Sequence, residues 1–466
     1  MKKSKLLPIA ALLIMPLPAL AGVTCQPLRG FVGAEGVSLN NGATSWNNHY
    51  NAFRQNSLLN MYGSAAVNCG VGEKLLFKSE INGEYLLHNH QPGLLQDSQK
   101  EGKLFFNQAA LSWTLREDLF MDVGKIRRRY GYLYSVSPLD LLRNPHGAFR
   151  SVHVNAAGDN WPAFYDEGAW GASLNLYTSS GSWDWVMLPK LTRDNKSVDS
   201  YSRDRSLVRT NSRDRYLVSY STTGLSDTTA TVSLLAGTQK RLAGGLNYLL
   251  SDNWVINFEA GLSRGQTWRH LQTSASEALH NYNSDYQGEP FSRRAKGLNG
   301  DIGGGIRYTS QEQIESGMEY YGQSQGYSRS EWQRLYRDVA FTNGGYVIPG
   351  ISLTSTGPVR DAFRLYSQIM ASEIDKTGRQ GALQGKHYLM LFSSKNRSEI
   401  MSLNWRTSAI LNLTDGSTLA NLQLSSPVRE NLEMYAGSSF TLGKAESEFN
   451  LFGEKGLFYA GFRRYW

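Results

Sequence analysis

The sequence has 466 residues, of which 41% are hydrophobic and 12% aromatic, and its formal net charge is +8. Its mean hydropathy is −0.40, and beyond the amino end no stretch approaches the about 20 apolar residues of a transmembrane helix. These values exclude a helical membrane protein. A closed β-barrel is not excluded, because its strands alternate apolar and polar residues and keep the mean hydropathy low.

The amino end predicts a secretory signal peptide over residues 1–21. Lysines follow Met1, an apolar run extends to Leu20, and the small residue Ala21 stands at the expected cleavage position. A membrane anchor helix is the alternative, which the short run and its three prolines disfavour. Three of the positive charges belong to this segment, which leaves about +5 for residues 22–466, expected to be one barrel domain.

Two cysteines, Cys25 and Cys69, remain after cleavage. An exported protein enters an oxidising compartment, so one disulfide between them is expected, with two unpaired thiols as the alternative. It would tie the amino-terminal segment to the end of an early strand.

Alternation of apolar and polar residues is the strongest signal in the chain. Residues two apart share a face of a strand, so each such segment has one apolar and one polar face. In 254–262 the apolar face carries Trp254, Ile256, Phe258, Ala260 and Leu262, and the polar face carries Asn257, Glu259 and Gly261. Segments 314–320, 401–412 and 432–440 alternate in the same way.

The pattern predicts an all-β fold, a transmembrane antiparallel barrel of about eighteen strands, with 16 or 20 as neighbouring counts. The predicted strands are 29–38, 53–68, 73–89, 103–115, 118–130, 165–178, 182–191, 213–223, 227–238, 241–249, 254–265, 298–309, 313–322, 383–394, 399–412, 416–426, 432–442 and 456–466.

Connection lengths favour a membrane barrel over a soluble β-sandwich. Connections after even-numbered strands are short, whereas every long connection follows an odd-numbered one: 131–164, 192–212, 266–297 and 323–382. Short turns at one end and long loops at the other are typical of the periplasmic and external ends of outer-membrane barrels. The Gram-negative outer membrane is therefore the predicted location.

The last predicted strand ends on Trp466 after alternating aromatic residues. This resembles the carboxyl-terminal signal read by the barrel-assembly machinery, which usually ends on Phe. Arg464 departs from that pattern, because it is in phase with Phe462 and Trp466. The assembly machinery is therefore an expected partner.

Two stretches resemble porin-like outer-membrane barrels. In the first, Val123–Tyr132 carries Gly-Lys before an Arg triplet and a Gly-Tyr pair, and Ser137-Pro138-Leu139-Asp140 follows. Alginate-export and specific-porin families have similar strands, and uncharacterised barrels also resemble Tyr320–Ser328. The resemblance implies barrel membership and carries little information about substrate; a structural role for glycine and aromatic residues at a strand-to-loop rim is the simpler interpretation.

The long connection 323–382 has helical character. Ser328 and Glu331 have capping-box spacing, and a second amphipathic segment runs from Pro358 to about Lys376. A loop of this length commonly has a function. It could enter the lumen as a constriction or pack outside as a cap.

Arginines concentrate at the external end and are candidate pore or anion contacts, because guanidinium groups match carboxylate and phosphate. The candidates are Arg127, Arg128, Arg129, Arg143, Arg150, Arg203 and Arg205. Strand phase places Arg128 on the face opposite Arg127 and Arg129, so at most part of the triplet would face the lumen. The alternative is pairing with lipopolysaccharide phosphates or with nearby acids such as Asp204 and Asp214. Outer-membrane lipid and lipopolysaccharide are expected partners, and nucleic acid is not.

Catalytic patterns are not evident. The eight histidines have no nucleophile motif around them. His88 and His90 share a strand face and could bind a metal, but a solvated rim is the more common reason for such a pair. No enzyme activity, metal or cofactor is therefore expected.

The default function of a barrel of 16–18 strands is passive conduction, because its lumen holds water unless loops fill it. The sequence therefore predicts a channel for small hydrophilic solutes, with anionic solutes as a candidate class. A protein that binds, exports or assembles an acidic surface polysaccharide is the alternative.

Overall fold

A computed structural model describes residues 22–42, 57–88, 100–143, 167–193, 206–223, 227–282, 288–294, 296–345, 357–379, 383–451 and 453–466. The predicted signal peptide lies outside these residues. The described part is an antiparallel barrel with small additions. The barrel strands are β2 (Arg29–Asn41), β3 (Ser57–Val71), β4 (Leu75–His88), β5 (Lys100–Arg116), β6 (Leu119–Ile126), β7 (Ala169–Tyr177), β8 (Gly181–Leu188), β9 (Arg215–Thr222), β10 (Thr228–Gly237), β11 (Lys240–Ser251), β12 (Trp254–Arg264), β15 (Leu298–Thr309), β16 (Ile314–Gln323), β17 (His387–Lys395), β18 (Asn404–Asn412), β19 (Thr418–Arg429), β20 (Leu432–Leu442) and β21 (Glu454–Tyr465). The additions are β1 (Val23–Cys25), α1 (Ser206–Asn211), β13 (His270–Leu271), α2 (Thr273–His280), β14 (Phe291–Ser292), α3 (Arg329–Ala340) and α4 (Gly357–Arg379).

The barrel closes because the last strand pairs with the first long one. Strand β2 pairs with β3 on one side and with β21 on the other, with Phe31 opposite Tyr465. All eighteen predicted strands are present, and the even number is confirmed. The short strand β1 was not predicted; it pairs with the last three residues of β3.

The apolar face of each strand points outward. On β12, Phe258 and Leu262 are half exposed, whereas Asn257 and Glu259 on the other face are buried. This arrangement is the reverse of a soluble barrel, which would bury the leucines. An outward apolar surface on a closed sheet is suited to lipid, since closure lets the strands pair their backbone polar groups with one another.

The two ends of the barrel differ as the connection lengths predict. One end has tight turns such as 117–118, 252–253 and 430–431, and the other carries the long connections. Outward aromatic pairs lie at the tight-turn end, with ring centroids 4.8 Å apart in Trp254–Tyr308 and 4.7 Å apart in Trp183–Tyr220. Such aromatic girdles lie at membrane interfaces. The tight-turn end is therefore the periplasmic end.

The predicted disulfide is present. Cys25 and Cys69 are bonded, and they are direct partners in the β1–β3 pairing at the periplasmic end. The bond holds the chain that precedes β2 against the barrel wall.

Helices α2, α3 and α4, together with the chain at 265–271 and 443–451, form a structure that we call the outer cap. The capping box of α3 is confirmed. The Ser328 hydroxyl accepts a hydrogen bond from the backbone N–H of Glu331, and the Glu331 carboxylate accepts one from the backbone N–H of Ser328. A buried apolar cluster joins the parts: Trp268, Phe291, Tyr327, Trp332, Leu335, Val339, Met370, Ala371, Ile374 and Leu451. Among the described residues, no helix has the length and apolar character needed to cross a membrane.

Candidate functional site: the barrel lumen

Residues 127–143, which we call the inner segment, leave the barrel wall after β6 and lie inside the lumen. The prediction of a strand over 118–130 is wrong at its end, because β6 stops at Ile126. Gly124 has φ 125°, a conformation that favours glycine and disturbs the strand just before this exit. Beyond Ile126, five backbone N–H groups of the segment find acceptors on distant strands instead of on a neighbouring strand: those of Tyr132, Leu133, Tyr134, Ser135 and Leu139.

Glu259 on β12 is the first of two anchors for the inner segment. It is fully buried, and its carboxylate accepts backbone N–H bonds from Tyr132 at 2.6 Å, Leu133 at 3.0 Å and Leu139 at 3.0 Å. The Ser137 hydroxyl donates a fourth bond. Hydrogen bonds to a charged group contribute about 1.5–3 kcal/mol each. One carboxylate therefore fixes the turn from Tyr132 to Leu139.

Glu319 on β16 is the second anchor. Its two oxygens accept the backbone N–H groups of Tyr134 at 2.6 Å and Ser135 at 2.9 Å. The Tyr134 ring stacks on Phe392 of β17, with centroids 4.4 Å apart. The inner segment is thus held at consecutive residues by two strands of the same wall.

Glycines in the wall make room for this contact. A Cβ on Gly303 would lie 2.4 Å from Leu133 Cδ1, and one on Gly245 would lie 3.0 Å from Leu139 Cδ2. Both positions belong to the inward face of their strands, where larger residues would displace the segment. The close approach therefore depends on small residues in β11 and β15.

The end of the inner segment packs against a different part of the inner wall. Leu139, Leu141 and Leu142 are buried in a cluster with apolar residues from β5 to β11. Arg215 of β9 donates to the Leu142 carbonyl at 3.0 Å, and Arg241 of β11 donates to the Pro138 carbonyl at 3.3 Å. The segment is therefore held at both of its ends as well as at its centre.

All three arginines of the triplet contact groups on the inside of the barrel. Arg127 pairs with Glu80 at 3.4 Å, Arg128 with Asp122 on β6, and Arg129 with Asp140 at 3.8 Å. The prediction that strand phase separates the triplet is wrong, because residues 127–130 are not in a strand. The side chains of Arg127 and Arg129 remain 42% and 52% exposed, whereas that of Arg128 is 26% exposed.

The other candidates are less informative. Arg143 donates to the Ser135 carbonyl at 3.3 Å and so braces the inner segment. Arg150, Arg203 and Arg205 lie outside the described residues, as does His90. Within the described part of the chain, no three His, Cys, Asp or Glu residues are grouped as metal ligands would be.

A third buried carboxylate, Glu448, holds the connection between β20 and β21. It accepts from the Gln384 N–H at 2.7 Å, the Tyr388 hydroxyl at 2.6 Å and the Asn412 amide at 2.7 Å. The outer cap is tied to the same connection, because Trp332 Nε1 donates to the Glu446 carbonyl at 2.7 Å. The described helices of 323–382 therefore pack in the outer cap, and the chain held inside the lumen is the inner segment.

Polar groups also join the strands at the closure of the barrel. Arg463 of β21 donates to the Tyr62 hydroxyl at 3.1 Å, and its guanidinium lies 4.6 Å from the Tyr435 ring centre. The Tyr435 hydroxyl in turn donates to Glu35 of β2 at 3.0 Å. These residues lie on the polar face of their strands, which was the only sequence signal for them.

No protein-family profile and no curated protein matches the sequence. Among solved structures, OccAB1 of Acinetobacter baumannii is similar with a TM-score of 0.49 at 10% identity, over 94% of this chain and 96% of that one. OccK11 (OpdR) of Pseudomonas aeruginosa gives 0.48 at 11% identity, over 94% and 96%. OprD of the same species gives 0.46 at 8% identity, over 94% and 95%. The eighteen-strand closure, the outward apolar surface and the two unlike ends of this chain are those of a porin-like outer-membrane barrel.

Proposed function

We propose that the protein is an outer-membrane channel for passive passage of small hydrophilic solutes, with the inner segment as its constriction. The observation that carries the proposal is the anchoring of this segment to β12 and β16 through Glu259 and Glu319. The lumen of an eighteen-strand barrel is wide enough to hold water, and a fixed segment inside it narrows the lumen without blocking it. The proposal assigns no catalytic residue.

We further propose that carboxylate- or phosphate-bearing solutes are favoured at the constriction. The support is the exposed guanidinium surface of Arg127 and Arg129, which belongs to the inner segment. Both groups are already paired with acids, so they offer their remaining N–H donors instead of an unbalanced charge. The preference is therefore expected to depend on these positions and not on the net charge of the chain.

Planar-bilayer recording tests the channel proposal. Purified protein is expected to produce stepwise, ion-permeable openings. A folded preparation that produces no conductance would contradict the channel and favour the alternative, a protein that binds or assembles an acidic surface polysaccharide.

Reversal potentials under a salt gradient test the anion preference. Arg127→Ala and Arg129→Ala are each expected to lower the anion-to-cation permeability ratio by up to about fivefold, since a unit charge at 4 Å in water contributes about 1 kcal/mol. Arg128→Ala should have a smaller effect, because its side chain is the least exposed of the three.

Arg116→Ala is the matched control for these variants. Arg116 is exposed and paired with Asp118 at 2.6 Å, but it lies at a periplasmic turn outside the inner segment. Equal selectivity in wild type and in the Arg127, Arg128 and Arg129 variants would rule out the anion preference. A shift of the same size in Arg116→Ala would assign the effect to overall charge.

A further inference from the structure

Two basic residues lie side by side on the outer face of the barrel at its external rim. Lys240 begins β11, Arg264 ends β12, and the two are direct partners in the pairing of these strands. Both follow the phase of the outward leucines Leu242 and Leu262, and both are exposed. Lys296, also exposed, lies at the same rim just before β15.

This positive charge has no counter-ion in the described chain. The side chains of Lys240, Arg264 and Lys296 form no salt bridge or hydrogen bond with any residue that the structure describes. Like charges directly opposite each other destabilise a pair of strands. The carboxylate of Asp214, near the same rim, receives the Lys190 N–H at 2.8 Å and the Tyr216 hydroxyl at 3.3 Å instead. The two neighbouring cations would therefore be stabilised by an external anion.

The height of the pair matches the edge of the hydrocarbon layer. Trp254, in the periplasmic aromatic pair, and Arg264 are the first and last residues of β12. Ten steps of about 3.3 Å, on a strand tilted by about 40°, rise about 25 Å, which is the usual height of the apolar band. Arg264 and Lys240 therefore lie where the headgroups of the outer leaflet begin.

An apolar surface lies directly below the pair. Leu242 and Leu262 are direct partners, one outward position below Lys240 and Arg264. Leu298, which is 80% exposed, is the direct partner of Arg264 on the adjacent strand β15. Basic groups above leucines fit a ligand that has a phosphate at one end and acyl chains below it. A free phosphate would use only the upper half of this surface.

We propose that Lys240 and Arg264, assisted by Lys296, bind a phosphate of a phosphorylated glycolipid of the outer leaflet, whose acyl chains lie along Leu242, Leu262 and Leu298. The guanidinium of Arg264 suits two phosphate oxygens, and the ammonium of Lys240 adds a point charge. This site is on the outside of the wall, and it does not depend on what passes through the lumen.

Native mass spectrometry of the detergent-solubilised full-length protein tests the site, with diphosphoryl lipid A as the probe. The wild type is expected to bind it, and the double variant Lys240→Gln, Arg264→Gln to bind it about tenfold more weakly or worse, because two charge-assisted contacts are lost. The charge-retaining variant Lys240→Arg, Arg264→Lys should restore most of the affinity. Heat-modifiable electrophoretic mobility checks that each variant is folded.

The control variant Arg429→Gln, Arg464→Gln removes the same charge from two exposed arginines at the opposite rim, both of which pair with Leu432. It should bind lipid A as the wild type does. Unchanged affinity in the Lys240, Arg264 variant, or an equal loss in the control, would overturn the proposal. Inorganic phosphate at the lipid concentration should not compete; complete competition would show that the leucine surface takes no part and would overturn the lipid assignment.

Discussion

Replacing Glu259 and Glu319 together by glutamine is expected to release the inner segment from the wall of the lumen. Each carboxylate accepts only N–H or O–H donors from the segment, and a glutamine presents one amide group that cannot accept. A buried donor left without a partner costs about 1–3 kcal/mol. The barrel wall keeps its own strand pairing, so the loss should be local.

Amide hydrogen exchange measures this release directly. The N–H groups of Tyr132, Leu133, Tyr134, Ser135 and Leu139 should exchange about a hundredfold faster in the double variant, which corresponds to about 2.8 kcal/mol. Single-channel conductance should rise and fluctuate more, because the segment no longer holds one position. The strand amides of β12 and β16 should be almost unaffected.

Glu315→Gln provides the comparison within β16. Glu315 is on the same inward face as Glu319, but it pairs with Arg307 at 3.3 Å and has no contact with the inner segment. Its substitution should leave exchange at the five amides unchanged. Slow exchange at these amides in the Glu259, Glu319 variant would mean that the anchors do not hold the segment.

Loss of the disulfide is expected to lower the free energy of unfolding by about 4 kcal/mol in the chain-entropy model, because Cys25 and Cys69 close a loop of 44 residues. The Cys25→Ser, Cys69→Ser variant should keep the barrel, since β2 and β3 pair along ten positions without it. The short strand β1, with three pairs to β3, should detach.

Urea unfolding in lipid vesicles, followed by tryptophan fluorescence, measures the difference. The reduced wild type should unfold as the double-serine variant does, which separates loss of the bond from any effect of the serine hydroxyls. Equal midpoints for the oxidised wild type and the variant would contradict a stabilising role.

Features with a local cause were predictable from the sequence. A strand's alternation repeats every two residues, so each of the eighteen strands was visible in its own segment, and the parity of the connections then gave the even count and the two unlike ends. The α3 helix was equally local, because its capping box joins residues three apart. The disulfide followed from there being only two cysteines after the signal peptide.

The course of the inner segment could be decided only by the tertiary structure. Its bonds join Tyr132 to Glu259, 127 residues away, and Tyr134 to Glu319, 185 residues away. The sequence showed Glu259 and Glu319 merely as members of a polar face, and it continued the β6 strand through the arginine triplet. Closing the barrel places the inward faces of β12 and β16 within reach of the segment that leaves β6 and enters the lumen. The sequence therefore determined which faces are polar, and the closure determined which of those polar groups meet.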